Sequence, residues 1–179
     1  MIEVEETKLR DVLLIKPTAF EDHRGRYVEI FNQELYKKSG VDIHFVEDDI
    51  SVSKQNVLRG IHGDPKTWKL ISCLQGEIFF VVVDCNEESE HFGEWLSFTL
   101  SESNRHQVLV PPYYGNGHYV LTEQAIFHYK QSEYYDPNHQ FTYKWDDERF
   151  SIDWPTKEPI LSKRDTIGEY EWKAKEEKV

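Results

Sequence analysis

The sequence predicts an all-β fold, a sandwich or barrel, on three observations. Short runs rich in Val, Ile, Phe and Tyr recur along the chain at intervals of roughly 8–12 residues with turn signals between them, the pattern of such folds. Helical periodicity is confined to one short stretch. The 179 residues suit one domain and are enough to bury a core without a disulfide or metal staple. No repeat, linker or low-complexity segment breaks the chain, so one domain is expected over 1–179.

The elements follow in order. Val12-Leu13-Leu14-Ile15 reads as a strand ended by Pro17, and Arg26 to Phe31 as a second one after an Asp-His-Arg-Gly turn. Asn32 to Lys38, stopped by Ser39-Gly40, fits a short helix. Phe45 to Ser53 alternates roughly between polar and apolar residues. Trp68 to Leu74 and Glu77 to Val83 flank Gln75-Gly76, which predicts a β-hairpin with a β-branched and aromatic buried arm. Trp95 to Leu100, Gln107 to Val110, Tyr119 to Leu121 and Ala125 to Lys130 complete the strands. The segment after Pro137, with Trp145, Trp154 and Pro155, reads as an irregular C-terminal extension packed on the sheets. The charged tail from Thr166 is expected to be helical or frayed.

Composition excludes several functions. Lys plus Arg number 21 against 33 Asp plus Glu, a formal charge of −12, which opposes sequence-independent nucleic-acid binding and docking on anionic membranes. Mean hydropathy is low at −0.67, but 14% aromatic residues are too many for a disordered chain. The acidic N-terminus lacks an apolar signal region, and the longest apolar run, Ile78 to Val83, is far short of a membrane helix. Cys73 and Cys85 lie in apolar strands and read as buried free thiols. A soluble, cytoplasmic protein is expected.

Several residues could carry chemistry. His62 lies between Gly60-Ile61 and Gly63 in Val57-Leu58-Arg59-Gly60-Ile61-His62-Gly63-Asp64, where glycine permits tight turning and close approach of a ligand. Arg59 is fork-shaped and suits phosphate or carboxylate. His62 has no His-x-His partner and Asp64 is a weak second ligand, so no metal site is read. Lys69, in an otherwise apolar strand, either snorkels to water or faces a cavity and stabilises an oxyanion. Tyr129, in a tyrosine-rich strand end, either packs or serves as a general acid. Asp165 either caps a helix beginning at Thr166 or fixes a histidine tautomer. Spacing alone leaves these pairs open.

Four blocks, in order, resemble the nucleotide-sugar 3,5-epimerases. They are Phe20 to Glu29, Val57 to His62, the Tyr129-Lys130…Tyr135 block, and Ile152-Asp153-Trp154-Pro155…Leu161-Ser162-Lys163-Arg164-Asp165. The resemblance implies a cupin-type jelly-roll barrel, a homodimer, a nucleotide-sugar substrate, and no metal or other cofactor. It implies deprotonation next to a C4 ketone and reprotonation from the opposite face. His62 is then the base, Asp165 its orienting partner, Lys69 the cation facing the C4 oxyanion and Tyr129 the acid. Arg59 holds substrate at its phosphate. Arg24 and Glu29 reach substrate across the dimer interface, and Tyr135 belongs to the binding set.

The chain also departs from the family pattern. Gly63-Asp64 replaces Tyr-Gln after the base. Glu47 and Asp49 replace Gln and Asn, and are expected to accept hydrogen bonds from sugar hydroxyls or the nucleobase. Asn116 replaces a histidine, with His118 two positions on and so on the same strand face. With Ile61-His62-Gly63-Asp64…Lys66-Thr67, Gly115-Asn116…His118-Tyr119-Val120 and Gln140-Phe141-Thr142-Tyr143…Trp145, these features resemble a branch acting on GDP-4-keto-heptoses in capsular polysaccharide synthesis, with inversion at C3 or at C3 and C5. The alternatives are a dTDP-4-keto-6-deoxyhexose 3,5-epimerase, a 3,4-ketoisomerase, and a non-catalytic sugar-binding jelly roll or metal cupin. The ketoisomerase needs a close histidine pair, and His62 has none in sequence.

Overall fold

A computed structural model describes residues 1–168. Thirteen strands and two short helices run in the order β1 (Ile2–Glu6), β2 (Leu13–Pro17), β3 (Ala19–Asp22), β4 (Gly25–Val28), α1 (Gln33–Lys38), β5 (Glu47–Lys54), β6 (Leu58–Gly63), β7 (Lys69–Gln75), β8 (Glu77–Asp84), β9 (Trp95–Ser101), β10 (Gln107–Val110), β11 (Tyr114–Val120), β12 (Gln124–Gln131), β13 (Phe141–Thr142) and α2 (Lys163–Ile167). A six-stranded sheet, β1-β2-β10-β7-β12-β5, faces a five-stranded one, β13-β6-β11-β8-β9, and β3 pairs only with β4. The all-β expectation holds. The two main sheets stay separate and do not close into the expected barrel.

The predicted hairpin at Gln75-Gly76 is not one. β7 pairs with β10 and β12, while β8 pairs with β9 and β11. The chain therefore crosses from one sheet to the other at Gly76, whose φ of +73° and close approach to the Gln124 carbonyl require glycine. Strand pattern alone does not distinguish this crossing from a hairpin, because both arms are buried on two faces.

β8 shows why. Ile78, Phe80 and Val82 face the core between the sheets, while Val81 and Val83 join Leu58, Phe150 and Trp154 on the outer side. A strand covered on both faces reads as a continuous apolar run. The C-terminal extension supplies the outer cover, as expected. On the other sheet α1 does so, with Tyr36 fully buried against Ile15, Leu70 and Leu109. Asn32 caps α1 through its side chain, which accepts the Leu35 N–H.

Three boundaries differ in informative ways. β1 was not expected because its Glu residues mask the Ile2/Val4 alternation of an edge strand. β11 begins at Tyr114 and not at Tyr119, running through Gly115-Asn116-Gly117, a sequence that resembles a loop. There Gly60 (φ +138°) and Gly117 pack backbone on backbone: a Cβ on Gly60 would lie 2.5 Å from Gly117 Cα. α2 begins at Lys163 with Ser162 as its cap, so Asp165 does not cap a helix at Thr166. Beyond Gly168 the expected tail lies outside the described residues.

Cys73 and Cys85 are free and buried, as expected, and burial pushes the Cys73 thiol up to about 12. Among the described residues no helix is long and apolar enough to cross a membrane.

Candidate active site

At one end of the sandwich the inner apolar residues give way to polar ones around a cavity of about 240 Å³. Strand alternation aims them. Lys69 shares the inner face of β7 with Ile71, and Phe127, Tyr129 and Gln131 share that of β12. From the facing sheet come His62 and Arg59 on β6 and Asn116 and His118 on β11. His118 stacks on Phe127 across the gap, with ring centroids 4.2 Å apart and planes 15° apart.

His62 and Asp165, 103 residues apart, meet here: His62 Nε2 lies 2.5 Å from Asp165 Oδ1. The carboxylate is 2% exposed. It also accepts the Ser162 hydroxyl at 2.7 Å and the Gly60 N–H at 3.3 Å. Burial pushes the Asp165 carboxyl up, but these donors, His62 foremost, hold it below the ordinary carboxylate value. Asp165 is thus ionised and hydrogen-bonded to the imidazole. With Nε2 committed, Nδ1 is the ring nitrogen that can take a proton. Burial pulls the His62 pKa below the ordinary imidazole value; Asp165 pulls it back up and Arg164 opposes that, leaving it lowered. His62 is neutral at neutral pH and can accept a proton there.

Burial also raises the Tyr129 phenol to about 12, with Asp49 and Glu47 adding to the effect and Arg59 opposing it. Tyr129 therefore keeps its proton and can donate it. Burial, then the charge of Arg59, takes His118 down to about 3, so it stays neutral. Ser51 Oγ, Asn116 Oδ1 and His118 Nε2 are buried at this cavity without a protein partner. Buried polar atoms of native proteins are rarely left in that state.

Of the expected site residues, His62, Lys69, Tyr129, Arg59, Asn116, His118 and Tyr135 line the cavity, and Asp165 backs it. Glu47 and Asp49 stand behind the wall. Both accept from Gln131 Nε2, at 2.6 and 3.2 Å, and Glu47 also accepts the Tyr135 N–H. They hold the wall in place and do not form it. Arg24 and Glu29 lie outside this chain's cavity. The β3–β4 hairpin carrying Arg24 projects away, and Arg24 pairs with Asp22 at 2.6 Å.

Sequence reasoning gave no role to Gln131, Gln140, Arg164 and Ser51, which also line the cavity. Arg164 adjoins Asp165 and Gln131 follows Tyr129 by two, so strand and helix periodicity could have found both. Among the described residues no group of three His, Cys, Asp or Glu side chains could hold a metal ion.

A family profile described as dTDP-4-dehydrorhamnose 3,5-epimerase matches residues 6–170. The Escherichia coli protein of that name is 40% identical over 167 residues, 90% of each chain. Among solved structures, the Bacillus anthracis dTDP-4-dehydrorhamnose 3,5-epimerase with TDP and pyrophosphate bound has a TM-score of 0.90 at 36% identity, covering 94% of this chain and 99% of that one. The Legionella pneumophila dTDP-6-deoxy-D-glucose-3,5-epimerase, in complex with dTDP-4-keto-L-rhamnose, has a TM-score of 0.87 at 35% identity, covering 92% and 90%. These relatives are named for dTDP-linked sugars. The expected GDP-heptose branch and its link to capsular polysaccharide find no support among them.

Proposed function

This chain belongs to the dTDP-4-dehydrorhamnose 3,5-epimerase family, and we propose that it inverts C3 and C5 of a dTDP-linked 4-keto-6-deoxyhexose. It is an epimerase of nucleotide-linked 4-keto sugars. The dTDP assignment is supported by the names of its relatives.

The observation that carries the mechanism is that base and acid come from opposite sheets. His62 stands on the five-stranded sheet and Tyr129 on the six-stranded one. A sugar ring lying between the sheets presents one face to each. The C4 carbonyl acidifies the hydrogens on C3 and C5. His62 Nδ1 takes one, and the electron pair moves onto the C4 oxygen to give an enolate. Lys69 faces that oxygen, where preorganised charge in a water-poor site is worth most. Tyr129 returns a proton to the carbon from the other face. Each inversion leaves an imidazolium and a phenolate, which water resets, so solvent hydrogen enters the product.

The cavity suits the sugar. Pockets for drug-sized ligands run to roughly 300–1,000 Å³, so one of about 240 Å³ takes the ring and leaves the nucleotide at its mouth. Arg59, Lys69 and Arg164 put three cations around it in a chain of charge −12. The anionic substrate is bound locally, against the global field. The partnerless atoms of Ser51, Asn116 and His118 take sugar hydroxyls. The test is turnover of dTDP- and GDP-linked 4-keto sugars side by side, with products resolved by NMR. Higher kcat/KM with dTDP is expected; turnover of the GDP-linked sugar alone would overturn the nucleotide assignment and leave epimerisation standing.

The working form is a homodimer. Phe20 and Tyr27 on the β3–β4 hairpin, with Ile50 and Val52 on the outer face of β5, are all more than half exposed, and a second copy covers them. Docking of that copy brings Arg24 and Glu29 to the partner's cavity. Sedimentation should give twice the chain mass, and Phe20→Ser with Tyr27→Ser should release monomer. A fully active wild-type monomer would contradict this.

A further inference from the structure

Beside Lys69 stands a carboxylate to which the reaction above gives no part. Asp64, two residues past His62, is 4% exposed. Its Oδ1 accepts the backbone N–H groups of Lys66 and Thr67 at 2.9 and 2.8 Å, which fixes the side chain. Its Oδ2 is thereby turned to Lys69 Nζ, 3.9 Å away, and to Gln140 Nε2 at 3.4 Å.

We propose that Asp64 is a positioning residue that keeps the buried Lys69 ammonium charged while leaving its N–H donors to the substrate oxygen. The proposal rests on Lys69 being the cation that faces the C4 enolate. An ammonium taken out of water tends to lose its proton, and a carboxylate within roughly 4–6 Å opposes that loss. At 3.9 Å the pair lies beyond hydrogen-bond length, so the attraction consumes no donor. A contact pair would hold the charge but blunt it toward substrate.

The surroundings leave this task to Asp64. Burial lowers the Lys69 pKa, Asp64 raises it and Arg164 of α2 lowers it again. His62 of β6 is also within electrostatic reach and adds no negative charge. The strand neighbours opposite Lys69 are neutral: Val110 on β10 and Gln131 on β12.

A protonated Lys69 is the active form, so turnover falls as pH rises through its pKa. Asp64→Asn keeps an oxygen for the two N–H groups and removes the charge; Asp64→Ser is a second uncharged variant with an acceptor, for use if the first does not fold. The expected result is a downward move of the alkaline limb of kcat by about 1–3 pH units, the usual effect of one opposite charge. The acid limb, set by His62, stays in place.

NMR titration of the Lys69 side chain, in protein without substrate and assigned with Lys69→Arg, should show the same downward shift. A folded variant whose Lys69 titration does not move would overturn the proposal. So would a shifted titration with an unmoved alkaline limb in an active variant. If the wild type turns over no 4-keto sugar yet Lys69 shifts as expected, the reaction assignment fails and the charge pair stands.

Discussion

His62→Asn lowers turnover by roughly 10²–10⁴-fold, the range a positioned general base contributes, and abolishes exchange of the C3 and C5 hydrogens with solvent. Asparagine can still donate to Asp165 Oδ1, which sits 2.5 Å from the imidazole it replaces, and it satisfies the buried carboxylate without supplying a base. Circular dichroism should therefore be unchanged. The wild-type enzyme should show the matching pH profile. A base works deprotonated, so kcat/KM falls as pH drops through its pKa. Burial holds that pKa down, which places the acid limb below about 6.5, the ordinary imidazole value. Exchange retained in a folded His62→Asn protein would remove His62 as the base.

Lys69→Gln should cost about 10²–10³-fold in kcat with little change in KM, the loss seen when a preorganised oxyanion partner is removed. Glutamine nearly fills the space and keeps an N–H donor, but the enolate forms without a full charge opposite it. The ground-state ketone carries no such charge, so binding is spared. The same change leaves Asp64 buried without its cation, and a second substitution, Asp64→Asn, should recover stability but not turnover. Thermal unfolding and steady-state kinetics on the single and double variants separate the two effects. A Lys69→Gln enzyme with wild-type kcat would show that the charge is not used.

Much of this was legible in the sequence where local chemistry carries the signal. The Ser39-Gly40 stop after Asn32 to Lys38 marked α1, and β10 falls on Gln107–Val110 as expected. What was illegible depends on partners distant in sequence. Gln75-Gly76 looks the same whether the chain turns back or crosses between sheets, and what decides it is pairing with strands elsewhere, β7 with β10 and β12 and β8 with β9 and β11. Spacing alone leaves Asp165 between cap and partner because its histidine is 103 residues away, and only the family resemblance pairs the two. Glu47 and Asp49 occupy the inner face of β5, yet Gln131 steps between them and the cavity. Arg24 and Glu29 are motif residues that one chain alone does not bring to its own cavity. The sequence offers Asp64 as a weak metal ligand and as a departure from the family pattern; its bearing on Lys69 depends on an Asx turn that the sequence does not display.

The measurement that tests the central claim most directly is turnover of a dTDP-linked 4-keto-6-deoxyhexose in D₂O, with deuterium located by NMR. Deprotonation by His62 on one sheet and reprotonation by Tyr129 on the other predict inverted product carrying solvent deuterium at both C3 and C5. Inverted product with no label at either carbon, or folded protein that binds the sugar and neither labels nor inverts it, would contradict that account.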